Sequence, residues 1–136
     1  MTEDQLEQET LGWLTEVGYD TLYGPDVAPD GASPERAGYQ QVPLPFRLRE
    51  AIHRLNPSIP VAAREDAFRQ VLDLGIPSLL SANRHFHKLL VGGVPVQYQK
   101  DGETRGDRVR LIDWTHPAKN KWLAVNQYSI KGPHHT

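Results

Sequence analysis

Two extended runs joined by Asp101-Gly102 constrain the fold of this chain more than any other feature. In the first run, VPVQYQK, valines and a tyrosine alternate with glutamines. In the return run, DRVRLIDW, a period of two places Arg108 and Arg110 on one face and Val109 on the other. Asp-Gly accepts the backbone geometry of a tight hairpin turn. The sequence therefore predicts an antiparallel pair at a sheet edge, with one buried face and one wet face.

A third extended run, WLAVNQYSI over residues 122–130, carries apolar residues on both faces. Strands covered on both faces usually lie inside a sheet, so this run is predicted to be an inner strand. Gly132-Pro133 breaks the run, and the sequence stops at Thr136. An inner strand with so little chain after it indicates a missing continuation of the sheet. Gly106 is expected to make a second break before the return strand of the hairpin.

The best-marked helix spans residues 2–17, where Thr2 and Gln5 fit a capping box and Gly18 is placed to end the helix. Its opposite side is acidic. The predicted buried stripe consists of Leu6, Thr10, Trp13, Leu14 and Val17.

The rest of the chain divides into a mostly irregular stretch over 19–45, a helical segment over 46–92 and strands over 93–132. Residues 19–24 have the pattern of a short strand. The helical segment is predicted to hold helices over 46–55, 61–74 and 78–91, the last with Ser78 as N-cap and Gly92-Gly93 as its stop. We therefore expect an α/β fold, with a helical N-terminal part packed on a small mixed sheet, in a single domain of residues 1–136.

Composition excludes several classes of function. With no cysteine, the chain has no disulfide scaffold, thiolate zinc site or cysteine nucleophile. The 15 Lys and Arg against 17 Asp and Glu give a net charge of -2, so nucleic-acid binding requires a local basic patch. No apolar run reaches the roughly 20 residues that span a bilayer, and the acidic N-terminus is unlike a secretory signal. A cytoplasmic protein without membrane contact is expected.

Among the six histidines, His85 and His87 are two residues apart and point apart on a helix, while His134 and His135 lie at a terminus. No metal site is predicted from them. Basic residues are more suggestive, because several could line a surface that follows DNA phosphates. These candidates are Arg105, Arg108, Arg110, Lys88 and Lys100. The alternative interpretation is that an exposed strand carries charge for solubility and edge protection.

Five phrases occur in one order along the chain: TEDQLEQETLGWLTEVGY, FRLREAIHRLNP, SLLSANRHFHKLLVGGVPVQY, RGDRVRLIDW and WLAVNQYSIKG. Together they resemble the N-terminal region of the restriction (R, motor) subunit of type I restriction-modification enzymes. The resemblance covers nearly the whole chain. A collinear match of this length is more specific than any short motif.

The resemblance implies a PD-(D/E)XK endonuclease domain ahead of two ATP-dependent motor domains. Such a protein cleaves DNA with Mg2+ in a complex with methylation and specificity subunits. It also implies a catalytic acid on the first helix, for which Glu7 is the first choice and Glu3 the second, and then a sheet presenting Asp and Glu-x-Lys.

The implied Asp and Glu-x-Lys are absent after NQYSIKGPHHT. We therefore expect a partial PD-(D/E)XK fold that is catalytically incomplete and binds neither Mg2+ nor ATP tightly. Two alternatives stay open. One is a non-catalytic DNA-binding or subunit-docking module, and the other is a structural fragment without independent activity.

Overall fold

The computed structural model describes residues 1–75 and 78–131. Their helices are α1 (Glu3–Glu16), α2 (Gly24–Val27), α3 (Pro45–Leu55), α4 (Val61–Leu72) and α5 (Leu79–Gly92), and their strands are β1 (Asp20–Tyr23), β2 (Val94–Lys100), β3 (Glu103–Val109) and β4 (Leu123–Asn126). The predicted α/β class is confirmed. The strands form two separate pairs, β1 with β4 and β2 with β3, where one small mixed sheet was expected. The break at Gly132-Pro133 and the terminal histidines lie outside the described residues.

The chain divides into two compact units. The terminal unit combines residues 1–44 with 121–131 of the described chain, and the central unit is the continuous stretch Pro45–Asn120. The terminal unit holds α1, α2 and the β1–β4 pair. The central unit holds α3, α4, α5 and the β2–β3 hairpin.

The capping box predicted for α1 is confirmed. The backbone N–H of Thr2 donates to Oε1 of Gln5 at 2.9 Å, and the backbone N–H of Gln5 donates to the Thr2 hydroxyl oxygen at 3.2 Å. The predicted stripe is wrong, because Trp13 is 58% exposed and Val17 74% exposed. Since α1 packs on β1 and β4, its partly buried positions are Glu7, Leu11 and Leu14, of which Leu14 was predicted.

The strand predicted near residues 19–24 is confirmed as β1, which pairs in parallel with β4 from Asp20 and Leu123 to Tyr23 and Asn126. The long inner strand predicted over residues 122–130 is wrong. Gln127 has a φ of +53°, which takes the backbone out of the extended region and ends β4 at Asn126. Among the described residues, β4 has a partner strand on one side only.

The hairpin of the central unit follows its sequence pattern. Asp101 and Gly102 both have positive φ, at 55° and 79°, as the two-residue turn requires. The valines of one face are buried, with Val94 and Val109 fully so. Gly106 does not break the return strand, because it pairs with Gln97 inside β3.

The core of the central unit lies between α3, α4 and this hairpin. It contains Ile52, Ile59, Ala63, Ala67, Phe68, Val71, Leu89, Val94, Val96, Val109 and Leu111. The Ser78 cap of α5 is confirmed, since its side chain accepts a hydrogen bond from the backbone N–H of Ser81. Along α5, Leu89 is buried and Leu90 packs against the core, while Leu79 near its start is 74% exposed.

A buried arginine organises the stretch between α2 and α3, which the sequence pattern left irregular. Arg36 is 4% exposed and donates to the carbonyl oxygens of Gln41 at 2.8 Å and Tyr39 at 3.0 Å. Its guanidinium lies 4.3 Å from the ring centroid of Tyr128, and the Tyr128 hydroxyl donates to the Val42 carbonyl at 2.6 Å. The stretch is thereby attached to the segment that follows β4.

Candidate functional site

Glu7 is half-buried and faces the end of β4. Its Oε1 accepts a hydrogen bond from Nε2 of Gln127 at 2.7 Å, and its Oε2 accepts one from Nδ2 of Asn126 at 3.3 Å. Two neutral amide donors therefore hold both oxygens of one carboxylate. Hydrogen bonds to an ionised carboxylate are among the strong ones, so this contact fixes the rotamer of Glu7. Glu3, the second choice, is exposed on the first turn of α1.

The backbone turn after β4 is what brings the two amides together. Adjacent residues of a strand point to opposite faces, so Asn126 and Gln127 reach the same carboxylate only because Gln127 leaves the strand at φ +53°. The turn also depends on Gly24, since a Cβ there would lie 2.2 Å from the Gln127 carbonyl oxygen. Left-handed residues other than glycine are uncommon and concentrate at functional sites.

Asn126 also carries an acceptor without a partner. Its Oδ1 is buried and accepts no hydrogen bond from the described residues. Buried polar atoms are normally satisfied, so an unpaired acceptor beside a carboxylate marks a place where a ligand or water fits. A groove of about 450 Å³ runs along α1 and β4 here, lined by Glu3, Glu7 and apolar side chains such as Leu11 and Val125.

This site lies at the carboxyl ends of two parallel strands, the edge at which open α/β sheets commonly bind ligands. Its oxygen donors are the carboxylate of Glu7 and Oδ1 of Asn126, and hard divalent cations prefer oxygen ligands. Within residues 1–75 and 78–131, no group of three or more His, Cys, Asp or Glu side chains converges as a metal site would require.

The register of the hairpin separates the basic candidates. Arg105 is opposite Tyr98 and Lys100 is opposite Glu103, so these two cations share the face that carries the buried valines. Arg108 lies on the other face, and Arg110 follows it after the strand ends. All four are exposed. The register therefore separates Arg108 from Arg105 and Lys100, while Lys88 is exposed on α5.

Arg108 and Arg110 sit on fixed backbone. Asn56 is buried, donates to the Arg110 carbonyl at 2.9 Å and accepts from the Arg110 N–H at 2.8 Å. The Arg108 guanidinium approaches Gly92, where an added Cβ would lie 3.9 Å from its Nη1. A cation at the end of α5 is favourable for the helix dipole, which is the structural role that competes with DNA binding.

Asp113 anchors the loop that follows these arginines. Its buried carboxylate accepts from the backbone N–H of His116 at 2.9 Å and of Thr115 at 3.0 Å. These backbone hydrogen bonds, that of His116 foremost, lower the pKa of Asp113 below its ordinary value, while burial opposes them. Asn120 completes the loop by donating to the Asp113 carbonyl and accepting from its N–H.

Glu7 was predicted as a candidate site residue, whereas Asn126, Gln127, Asn56 and Asp113 were not. The two amides were read as part of a continuing strand, because NQY fits an extended pattern as well as a turn. A non-glycine residue in the left-handed region leaves little sequence signal. The one hint was a pair of adjacent amides immediately after an apolar run.

The chain is similar in sequence to subunits of type I restriction enzymes. A family model described as "Type I restriction enzyme R protein N terminus" matches residues 1–136. The chain is 34% identical over 131 residues to the type I restriction enzyme HindI endonuclease subunit of Haemophilus influenzae. It is 26% identical over 132 residues to the putative type I restriction enzyme MjaIXP endonuclease subunit of Methanocaldococcus jannaschii.

Each match covers 96% of this chain but 12% of the relative, so the chain spans about an eighth of the length of these curated proteins. No solved structure matches the chain. None of the helices in the described part of the chain is long and apolar enough to cross a membrane.

Proposed function

The chain belongs to the family formed by the N-terminal region of type I restriction enzyme R proteins, and on that premise we propose that it is the N-terminal part of a DNA-cleaving endonuclease domain. In this proposal Glu7 is the acid supplied by the first helix. The observation that carries it is the clamping of both Glu7 oxygens by Asn126 and Gln127 at the carboxyl ends of parallel strands.

The oxygen donors at this site are of the type that a divalent cation prefers. Glu7 and Oδ1 of Asn126 would be the residues of this chain that hold Mg2+, because both offer oxygen and Oδ1 has no protein donor among the described residues. Bound Mg2+ would supply charge stabilisation and an activated water for phosphodiester hydrolysis. Two donors do not complete a coordination sphere, so we propose that Asp and Glu-x-Lys side chains of the longer R subunit supply the rest.

The wider activity is proposed from the family. The R subunit would use ATP in motor domains outside this region, and would cut DNA in a complex with methylation and specificity subunits. The matched region would supply only the front of the nuclease domain. Taken alone, this chain would then fold without cleaving DNA.

The test uses the assembled native complex that carries this region. Glu7→Gln keeps the side-chain shape and removes the charge, so we expect plasmid cleavage to fall about 10- to 100-fold or more while ATP hydrolysis continues. Glu3→Gln removes a charge from the same helix without disturbing the clamp, and should cleave normally. Full cleavage by the Glu7→Gln complex would refute the assignment of Glu7.

A second function, DNA binding without cleavage, is favoured by two exposed arginines at the end of the return strand, Arg108 and Arg110. The double variant Arg108→Glu, Arg110→Glu should weaken binding of this chain to duplex DNA. The slope of log K against log salt concentration should also become smaller, by about 0.9 for each lost phosphate contact. The matched control, Lys100→Glu with Arg105→Glu, reverses two charges on the other face. Equal losses in both double variants would show that net charge matters and the face does not.

A further inference from the structure

A small cleft in the central unit has one aromatic wall that nothing in the nuclease proposal uses. Trp114 lines it and is 58% exposed, with Val91 and Ile112 as apolar neighbours and Arg110 beside them. The cleft measures about 210 Å³. Since pockets for drug-sized molecules begin at about 300 Å³, this one suits a single flat ring rather than a larger ligand.

The aromatic wall is fixed in place before any ligand arrives. The indole Nε1 of Trp114 donates to the Leu90 carbonyl at 3.2 Å, which pins one edge of the ring and leaves its surface exposed. On the other side, buried Asp113 holds the backbone of Thr115 and His116. A wall positioned by hydrogen bonds loses little conformational entropy on binding, which favours affinity.

The charge around this wall is positive. Arg110 lines the cleft and is 58% exposed at its side chain, and His116 on the same loop is 62% exposed. The Arg108 guanidinium lies near Gly92, which lines the same cleft. The one acid of the loop, Asp113, is 6% exposed at its side chain. Its Oδ1 accepts two backbone hydrogen bonds and lies 3.9 Å from Nη1 of Arg110, and its Oδ2 lies 3.8 Å from Nδ1 of His116. A ligand that enters the cleft therefore meets the exposed guanidinium of Arg110 and no exposed carboxylate of the loop.

We propose that the Trp114 cleft binds an unpaired nucleobase of a single-stranded nucleic acid, with the base stacked on the indole and its phosphate beside Arg110. Aromatic side chains next to a basic surface are the usual platform for single strands, because every base has a π-face. A base inside a duplex is stacked on its neighbours and cannot offer that face. The proposal does not depend on Glu7 or on nuclease activity.

The experiment measures binding of the 136-residue chain to a short fluorescent oligo(dT) by anisotropy over a series of salt concentrations. Trp114→Ala should weaken binding about 5- to 100-fold with the salt dependence unchanged, because stacking releases no counterions. Arg110→Gln should also weaken binding, and should lower the slope of log K against log salt by about 0.7, the value for one contact to a single strand.

Trp13 provides the matched control. It is also 58% exposed, but it lies on α1 among acidic side chains. Trp13→Ala should therefore bind oligo(dT) like the unmodified chain. Trp114→Leu separates stacking from packing, because leucine keeps apolar volume without a π-face and should still lose binding. Trp114→Phe should recover part of it.

Several results would overturn the proposal. They are absence of oligo(dT) binding, equal affinities of the Trp114 and Trp13 variants, full binding by Trp114→Leu, or tighter binding of a duplex of the same length. An oligo(U) arm identifies the source of the base. Equal affinity for oligo(dT) and oligo(U) supports a site that reads only the stacked base, and a preference for either strand supports the site and names its nucleic acid.

Discussion

Gly24 shows how a single residue permits the candidate site to form. The backbone of Gly24 lies so close to the turn after β4 that a Cβ would meet the carbonyl oxygens of Gln127 at 2.2 Å and Asn126 at 2.5 Å. Backbone atoms cannot move aside as a flexible side chain can. The clamp on Glu7 therefore depends on a residue that does not touch it.

The substitution Gly24→Ala should lower the free energy of unfolding by about 1–3 kcal/mol, the usual cost of forcing an extra carbon into a packed position. Urea denaturation measures it. Gly12→Ala is the control, because that glycine lies inside α1 with nothing within 4 Å of the added carbon. Since alanine is the better helix residue, Gly12→Ala should raise stability by about 0.5–1 kcal/mol. A neutral Gly24→Ala would mean that the turn can shift.

At the residue scale, Glu7 was predicted as a candidate, but its hydrogen-bond partners were not. Glu7 came from its place on a capped helix and from the family resemblance. Asn126 and Gln127 reach Glu7 across a sequence separation of more than a hundred residues, and the spacing of residues along a chain carries no signal for such a contact. Their convergence depends on one backbone angle at Gln127.

At the scale of elements, local chemistry predicted where helices begin and strands turn better than it predicted which helix faces are buried. The Thr2 capping box and the Asp101-Gly102 turn are settled by hydrogen bonds and backbone angles within a few residues. The buried side of α1 is decided by β1 and β4, which are distant partners. That is why a stripe through Trp13 was predicted while the helix packs through Leu11 and Leu14.

The loop after the hairpin gives a prediction about pH. Its backbone hydrogen bonds, chiefly from His116 and then from Thr115, lower the pKa of Asp113. A carboxyl whose pKa is lower in the folded state adds stability above its unfolded value of about 3.9, and that stability is lost as pH falls through the lowered folded value. The contribution of Asp113 to the free energy of unfolding should therefore be constant from about pH 7 to pH 5 and decline below about pH 4.

Urea midpoints measured across this range test the pH prediction. Asp113→Asn should be less stable at neutral pH, because the amide is a weaker acceptor, and should lose less stability in acid than the unmodified chain. Asp101→Asn, on the exposed hairpin turn, should keep the original acid profile. If both variants show the same profile, the anchor at Asp113 does not carry the pH dependence.

At the scale of the whole molecule, the sequence predicted the α/β class but not how the chain is divided. β1 and β4 are a parallel pair, and parallel strands require a long crossover connection between them. Here that connection includes the entire central unit, Pro45–Asn120. The residue pattern of β1 or β4 does not indicate which strand pairs with it. The extended run over residues 122–130 was therefore assigned to one sheet with the hairpin.

Because the chain divides in this way, we expect a peptide of the central unit to fold alone and a peptide of residues 1–44 not to. The eleven core residues of the central unit all lie within Pro45–Asn120, and its hairpin closes through a two-residue turn. A peptide of residues 45–120 should therefore fold alone, with a modest stability of about 3–5 kcal/mol that is ordinary for so small a core. A peptide of residues 1–44 should not, because β1 then lacks the strand that pairs with it.

Thermal denaturation followed by circular dichroism, together with the dispersion of amide proton shifts, distinguishes these outcomes. Ile52→Ala in the 45–120 peptide should abolish its cooperative transition, since emptying a fully buried site costs about 2–5 kcal/mol and would use up that stability. A 45–120 peptide without a cooperative transition would favour the single domain expected over residues 1–136. A folded peptide would mean that the central unit is an independent folding unit inserted between the two strands of the β1–β4 pair.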